Sequence, residues 1–142
     1  MRGLILVAAV AGVAIAPLSA RPSGAGVDYS RLLDAIAKVE SDRGATSANV
    51  YQLRRIYVRD VNRINGWSIR YDDAIRDPSI AKRCILAYWR HYARSYERRT
   101  GRKATAETLA RMHNGGPDGW RETVTVRYWR RVSRIYKAGG GK

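Results

Sequence analysis

The chain of 142 residues is long enough for one domain with a buried core, and its single cysteine, Cys84, excludes an internal disulfide bond. Its 27 lysines and arginines against 12 aspartates and glutamates give a net charge of +15 at pH 7. This charge indicates an anionic partner or surface, but it does not choose among nucleic acid, acidic lipids and anionic cell-wall polymers.

The first 20 residues are expected to be a signal peptide. A basic residue, Arg2, precedes an apolar run from Leu4 to Ile15, and small residues up to Ala20 offer a cleavage point. A membrane anchor is the alternative, but the apolar segment is at the short limit for spanning a bilayer and Pro17 interrupts its end. We therefore expect a secreted or periplasmic protein without a stable membrane anchor.

The composition of the remaining chain predicts one domain. Residues 21–27 are rich in proline, glycine and serine and form a linker, residues 28–137 form the domain, and residues 138–142 form a flexible, glycine-rich tail. No internal repeat divides the domain.

The first predicted helix, from Asp28 to Asp42, carries the residue of greatest chemical interest, Glu40. The apolar residues that recur at helical spacing on one face are Tyr29, Leu33 and Ile36. Glu40 follows Ile36 by four residues and therefore lies on the same inward face. A carboxyl group held among apolar side chains has a raised pKa, which suits a general acid. The alternative is a solvated carboxylate at the helix end, or one paired with an arginine.

The next two helices follow from caps and periodicity. An amphipathic helix is predicted from Asn49 to Ile64, and Asn65-Gly66 ends it. Asp77-Pro78 is a helix start, and the long helix that follows extends to about Thr100. The segment from Trp67 to Ile75 is irregular or briefly helical.

The C-terminal part contains two more predicted helices separated by a glycine-rich turn. Thr105 caps a helix that extends to Met112, and the turn HNGGPDG follows it. The inward face of the last helix is expected to hold Val126, Trp129, Val132 and Tyr136. Four or five helices without a strand pattern predict an all-α or nearly all-α domain.

No motif for a metal or cofactor is present. The chain lacks paired cysteines, an HExxH motif and a glycine-lysine phosphate loop, and His91 and His113 have no third ligand at a suitable spacing. Cys84 shares helical spacing with Ile80 and Tyr88, which is typical of a buried structural thiol. We expect no cofactor.

The turn and its flanks carry a resemblance to a known family. LARMHNGGPDGW, followed by TVRYWRRV, resembles the ARIHNGGPNG and TLGYW segments of invertebrate-type (destabilase-like) lysozymes, within the lysozyme and lytic transglycosylase superfamily. Three more segments fall in the family's order. They are AKVES at 37–41, YQL at 51–53 and LAYWRHYA at 86–93.

The resemblance implies a mostly α, lysozyme-like helical domain with a reduced or absent β-hairpin. It also implies a peptidoglycan-cleaving glycosidase that acts on the β-1,4 bond between amino sugars, with Glu40 as general acid. The substrate-binding residues that it implies are Tyr51, Gln52, His113, Asn114, Gly115 and Gly116. The chain departs from the family in having no disulfides and a shorter segment after Glu40.

Asp42 matches the position of the family's second catalytic carboxylate when the alignment is counted back from Gln52. In a continuing helix the side chains of Glu40 and Asp42 point about 200° apart, so both face one sugar only if the helix ends at Glu40 or Ser41. Otherwise Asp42 is a solvated aspartate at a helix end.

Several other activities stay open at this stage. Glu40 alone suffices in a lytic transglycosylase, where the substrate's C6 hydroxyl closes an anhydro ring. A catalytically inactive protein that binds cell-wall glycan through tryptophans and basic side chains is a second possibility, and a nucleic-acid or membrane-disrupting protein is a third. Isopeptide cleavage through Ser41 or Ser47 lacks an identifiable base.

The expected partners follow from charge and resemblance. They are peptidoglycan or a related amino-sugar polysaccharide, and anionic surfaces that contact the basic face. We expect no specific nucleic acid and a monomeric protein.

Overall fold

The computed structural model describes residues 26–46 and 48–140, and these form an all-α domain. Its six α-helices and one 3₁₀ helix are α1 (Tyr29–Asp42), α2 (Arg55–Asn65), α3 (Tyr71–Arg76), α4 (Pro78–Thr100), α5 (Ala106–Gly115), the 3₁₀ helix (Gly119–Arg121) and α6 (Val124–Ala138). The described ranges contain no strand, which agrees with the predicted helical class. The predicted signal peptide, most of the predicted linker and Ser47 lie outside the described residues.

The helix count exceeds the expected four or five because α3 forms in the segment that the periodicity left undecided. This helix has six residues, too few for an amphipathic repeat to show in the sequence. Asp72 and Asp73 occupy its first turn and Arg76 its last, an arrangement that complements the helix dipole.

Most helix ends lie where capping residues predict them. Asp28 accepts a hydrogen bond from the Arg31 backbone N–H at 3.0 Å at the start of α1, and Asp77 accepts one from the Ser79 N–H at 2.8 Å at the start of α4. These bonds satisfy N–H groups that have no partner inside the helix.

The start of α2 differs from the prediction, since the helix begins at Arg55 and not at Asn49. The Asn49 side chain explains the difference: its Nδ2 donates to the Leu53 carbonyl at 3.0 Å, and its Oδ1 accepts from the Leu53 N–H at 2.9 Å. These bonds close a turn that competes with helix formation. Tyr51 and Leu53 are nevertheless buried, although they lie in the loop before α2.

The inward face of α6 also differs in part. Its fully buried residues are Thr125, Tyr128 and Val132, whereas Trp129 and Tyr136 are only partly buried against the core. Thr125 is buried because its hydroxyl donates to the Gly119 carbonyl at 2.6 Å and accepts from Arg111 Nε at 2.9 Å. A prediction from the spacing of apolar residues misses a polar residue that is buried with its hydrogen bonds satisfied.

The core brings the C-terminal ends of α1 and α5 together. Helix α5 packs against α1, α4 and α6, and Leu109 and Met112 on α5 are completely or almost completely buried. Cys84 on α4 is buried and free, as predicted for a structural thiol. No helix within residues 26–46 and 48–140 combines the length and apolar character needed to cross a bilayer.

Candidate active site

Three neighbouring cavities form one cleft across the domain. The Glu40 cavity, of about 360 Å³, is lined by Glu40, Arg43, Tyr51, Gln52, Leu53, Arg54, Tyr57, His113 and Asn114. The aromatic cavity, of about 590 Å³, shares Arg54, Tyr57 and His113 with it and continues to Tyr88 and Tyr92. The arginine cavity, of about 290 Å³, shares Arg43 and Asn114 with it and is otherwise lined by Val124, Arg127, Tyr128 and Arg131. The Glu40 cavity therefore adjoins both of the other cavities.

Glu40 occupies the last turn of α1, with only 4% of its surface exposed. Burial raises the pKa of its carboxyl group above the usual value, because a charged carboxylate loses its hydration there. Hydrogen bonding to Tyr128 and the positive charge of Arg43 partly oppose this increase. The carboxyl group is thus available as a proton donor under conditions where an exposed glutamate is ionised.

The backbone of Glu40 is fixed by three hydrogen bonds to its carbonyl oxygen. The Arg43 and Ala45 N–H groups donate to this oxygen at 3.1 and 2.9 Å, and Gln52 Nε2 donates at 3.3 Å. Gln52 has a positive φ of 48°, which is uncommon for a residue other than glycine. The loop that replaces the expected start of α2 therefore holds the acid in position.

Tyr128 approaches Glu40 from α6. Its hydroxyl is buried and, among the described residues, has no partner with standard hydrogen-bond geometry. Its interaction with the Glu40 carboxyl is accordingly a loose one, and it lowers the pKa of Glu40 by less than burial raises it. The Arg43 guanidinium lies 5.5 Å from the centre of the Tyr128 ring.

Asp42 does not share the cavity of Glu40. Helix α1 continues through Asp42, so the condition for both carboxyl groups to face one sugar is not met. Asp42 Oδ1 accepts from Lys38 Nζ at 3.1 Å, and Asp42 lines a separate cavity beside Arg131 and Arg134. This geometry argues against the predicted role as second carboxylate, because the side chain is directed to the other side of the helix.

The HNGGP turn borders the cleft. His113 and Asn114 line the Glu40 cavity, and Gly115 and Gly116 line the aromatic cavity. The turn and Glu40, which are 73 positions apart in the sequence, meet because α5 packs against α1. The backbone carbonyl of Asn114 accepts from Arg54 Nη2 at 3.4 Å, which connects the turn to the loop before α2.

His113 is held as a neutral ring. Its Nε2 lies 3.1 Å from the Tyr51 carbonyl oxygen, and burial lowers its pKa to about 4. Within the described residues its buried Nδ1 has no hydrogen-bond partner. Because a carbonyl oxygen can only accept, the contact assigns the proton of the neutral ring to Nε2. The same contact fixes Tyr51, so His113 joins two segments of the cleft wall.

Both glycines of the turn are required by geometry. A Cβ atom on Gly115 would lie 2.6 Å from Thr125 Cγ2, closer than packing allows. Gly116 has a φ of +84°, a conformation that residues with side chains rarely adopt. Gly115, at the end of α5, therefore allows the close packing on α6, and Gly116 allows the backbone conformation that follows the helix.

The residues that the sequence did not single out are Arg43, Arg54, Tyr57 and Tyr128. Tyr57 forms part of the cleft wall, where its ring stacks on Tyr88 with centroids 4.1 Å apart. Tyr128 lies in the RYW segment that carried the resemblance, but the periodicity favoured its neighbour Trp129 as the inward residue. No three histidine, cysteine, aspartate or glutamate side chains gather as a metal site in the part of the chain that the structure describes.

Comparison with known proteins places the chain among lysozymes, although no family model matches it. Lysozyme 1 of Crassostrea virginica is 32% identical over 116 residues, which are 75% of this chain and 59% of the relative. The lysozyme of Magallana gigas is 35% identical over 86 residues, or 61% of this chain and 58% of the relative. The chain thus spans less than two thirds of the length of these two proteins.

Two further matches cover a larger share of the related chain. Invertebrate-type lysozyme 6 of Caenorhabditis elegans is 30% identical over 102 residues, which are 66% of this chain and 70% of the relative. A chain in the crystal structure of Aeromonas hydrophila PliI in complex with Meretrix lusoria lysozyme is 29% identical with a TM-score of 0.59, and the match covers 74% of this chain and 88% of that one. The chain belongs to the invertebrate-type lysozyme family.

Proposed function

We propose that the chain is a lysozyme-type glycosidase that cleaves the β-1,4 bond between amino sugars in peptidoglycan, with Glu40 as the general acid. One observation carries the proposal: a buried carboxyl group with a raised pKa lines a cavity that adjoins a further cavity on each of two sets of shared residues. The two adjoining cavities leave room for sugars on both sides of a scissile bond. The relatives named as lysozymes support the same activity.

The proposed reaction begins with proton transfer. Protonated Glu40 donates to the glycosidic oxygen as the bond to the leaving sugar breaks, and the carboxylate that forms is stabilised by the Tyr128 hydroxyl and the Arg43 charge. The same two groups that oppose the raised pKa thus lower the energy of the product state. Tyr51, Gln52 and the HNGGP turn form the walls that position the sugars.

Two reactions are compatible with an acid at Glu40, and they differ in the group that attacks C1 of the cleaved sugar. A hydrolase adds water, usually with help from a second carboxylate about 5 to 9.5 Å from the acid. Among the described residues, Glu40 is the one carboxylate that lines its cavity. This observation favours the second version, a lytic transglycosylase, in which the C6 hydroxyl of the substrate attacks C1 and Glu40 acts first as acid and then as base.

Asp60 is the carboxylate that lines the adjoining aromatic cavity. It accepts hydrogen bonds from the Tyr92 hydroxyl and from Arg63 Nη2. These partners hold Asp60 in the wall of the aromatic cavity, and it is therefore an alternative to Asp42 as a second carboxylate.

Substitution of Glu40 by glutamine tests the proposal. An amide cannot donate the proton, so we expect Glu40→Gln to lower the rate of peptidoglycan cleavage by about 10² to 10⁴-fold while binding is retained. Asp42→Asn is the matched control and is expected to keep most of the activity, since Asp42 does not line the Glu40 cavity.

The products of the wild-type digestion separate the two versions. Anhydro ends in mass spectra of the released fragments indicate a transglycosylase, and reducing ends indicate a hydrolase. Unchanged lysis by Glu40→Gln, or no lysis by the wild-type protein combined with retained binding, would replace the enzyme with a glycan-binding protein. Loss of activity in Asp42→Asn would restore Asp42 as a catalytic residue.

We also propose that residues 1–20 direct the protein out of the cytoplasm and are removed, so that the domain meets peptidoglycan in the periplasm or outside the cell. The apolar run and the basic start of this segment support this proposal.

A further inference from the structure

The arginine cavity combines three positive side chains, and no carboxylate of the described residues lines it. Arg43, Arg127 and Arg131 line it, and within the described residues none of the three forms an ion pair with a carboxylate. Eight other cations of the described residues form ion pairs and most of the rest do not, so what distinguishes these three arginines is the shared cavity that no carboxylate lines. Such pairs are Arg31–Asp28, Lys38–Asp42, Arg63–Asp60, Lys82–Asp34, Arg99–Asp118, Lys103–Glu97, Arg111–Glu107 and Arg121–Asp118.

The positions of these arginines add a cost that an anion would remove. Arg127 and Arg131 are four residues apart on α6, where side chains are neighbours and like charges repel. Arg43 joins them from the end of α1, with its guanidinium near the face of the Tyr128 ring. Both arginines of α6 are exposed, so an anion can reach them from solvent.

The location of the cavity limits what the anion can belong to. It shares the lining residues Arg43 and Asn114 with the Glu40 cavity, so it adjoins the cavity that holds the acid. Its volume of about 290 Å³ is at the small end for a ligand site and suits a substituent of a polymer better than the polymer itself. Guanidinium groups bind planar carboxylates through paired, charge-assisted hydrogen bonds.

We infer that the arginine cavity is a subsite for a carboxylate carried by the glycan next to the bond that is cleaved, and that Arg127 and Arg131 select carboxylate-bearing glycans over neutral ones. This inference rests on the proposed function, since it assumes that an amino-sugar chain occupies the cleft. Peptidoglycan supplies such groups on the peptides attached to its sugars, whereas a chitin chain supplies none.

Binding measurements in a Glu40→Gln background test the inference without relying on cleavage. The test variant adds Arg127→Gln and Arg131→Gln, and the matched control adds Arg130→Gln and Arg134→Gln. The control removes the same charge from the same helix but changes no residue of the arginine cavity. The ligands are peptidoglycan freed of teichoic acid, the same material with its carboxylates amidated, wall material that retains its teichoic acid, and a neutral chitin oligosaccharide.

We expect the test variant to bind native peptidoglycan about 10-fold or more weakly, as loss of a charge-assisted contact implies. It should bind amidated peptidoglycan and the chitin oligosaccharide as the parent does, and the control pair should preserve the preference for free carboxylates. In a background that keeps Glu40, the substitutions Arg127→Gln and Arg131→Gln together should raise KM for native peptidoglycan more than they lower kcat.

Three results would overturn the inference. An equal loss of binding in the control pair would mean a general effect of net charge. An equal loss on native and amidated peptidoglycan would mean that no carboxylate is recognised. A loss seen only with wall material that retains its teichoic phosphates would assign the cavity to phosphate. The binding results can be interpreted even if the wild-type protein does not cleave peptidoglycan. The test therefore distinguishes a failure of this inference from a failure of the proposed function.

Discussion

The acidity of Glu40 is set by opposing effects from a few neighbours. Burial raises its pKa, while the Tyr128 hydroxyl and the Arg43 guanidinium lower it. Helical spacing in α1 was sufficient to predict that Glu40 faces inward, because the apolar residues of this helix form a regular stripe. The two opposing groups could not be predicted in the same way, since one lies beyond the end of α1 and the other lies 88 positions away.

Tyr128→Phe is expected to move the pH dependence of activity toward higher pH. The acid has to be protonated, so the rate falls as pH rises through the pKa of Glu40. Removal of the hydroxyl removes an interaction that favours the charged carboxylate, and the pKa of Glu40 therefore increases further. The measurement is the high-pH limb of the kcat/KM profile.

Tyr136→Phe serves as the control on the same helix, because the Tyr136 hydroxyl accepts from the Asp28 N–H at 3.1 Å, at the other end of α1. This role of Tyr128 would be contradicted if the pH at which kcat/KM falls were unchanged in Tyr128→Phe. It would also be contradicted if that pH rose equally in Tyr136→Phe.

The lowered pKa of His113 predicts that the folded domain is less stable at acidic pH. Its pKa is about 4 in the folded chain and about 6.5 in an unfolded one. Below about pH 6.5 the unfolded state therefore gains a proton that the folded state does not, and the free energy of unfolding decreases until about pH 4, by up to about 3 kcal/mol.

Urea unfolding at pH 7, 5.5 and 4.5 measures this contribution. We expect His113→Gln to have a shallower pH dependence than the wild-type protein, and His91→Gln, at an exposed position, to keep the wild-type dependence. A wild-type slope retained in His113→Gln would assign the acid sensitivity to other groups.

At the scale of the helices, caps were more predictable than helix faces. Asp28, Asp77 and Thr105 cap helices in the structure as their residue types indicate, because capping depends only on local backbone geometry. The start of α2 was misplaced because Asn49 uses its side chain in a turn, and amphipathic spacing alone does not reveal that choice.

The contact between α5 and α6 depends on the small size of Gly115. A methyl group at this position would lie 2.6 Å from Thr125 Cγ2, so the helices would have to separate. We expect Gly115→Ala to lower the free energy of unfolding by about 1 to 3 kcal/mol, measured by thermal or urea unfolding.

Thr125→Ser provides the matched partner, because serine lacks Cγ2 but keeps the hydroxyl that bonds to Gly119 and Arg111. The double variant Gly115→Ala/Thr125→Ser should recover part of the lost stability relative to the sum of the single changes. Simple additivity would show that the predicted clash does not decide the effect.

For the whole molecule, the helical class was predictable and the cleft was not. The absence of any strand pattern was enough to indicate an all-α domain. The cleft, however, combines the end of α1, the loop before α2, the last turn of α5 and one face of α6, and these segments meet only because α5 packs between its neighbours. The resemblance of the HNGGP run to invertebrate-type lysozymes was therefore the one sequence feature that connected the turn with Glu40.

Export is a property of the whole chain and can be measured on the protein as it is released. If residues 1–20 are a signal peptide, the protein recovered outside the cytoplasm should begin at Arg21, as determined by intact-mass spectrometry. A chain that retains Met1 and stays with the membrane fraction would favour the anchor. A chain that retains Met1 in the cytoplasm would contradict export.

Cys84 has a consequence for where this domain can fold. It is the only sulfhydryl of the chain, and α4 carries it inside the packed core. No covalent cross-link within the chain has to form for the domain to assemble, and the buried sulfur is shielded from pairing with another molecule. Folding of the domain should therefore not depend on the redox potential of its surroundings. We expect the domain to fold equally well in a thiol-rich cytosol and in an oxidising extracellular fluid.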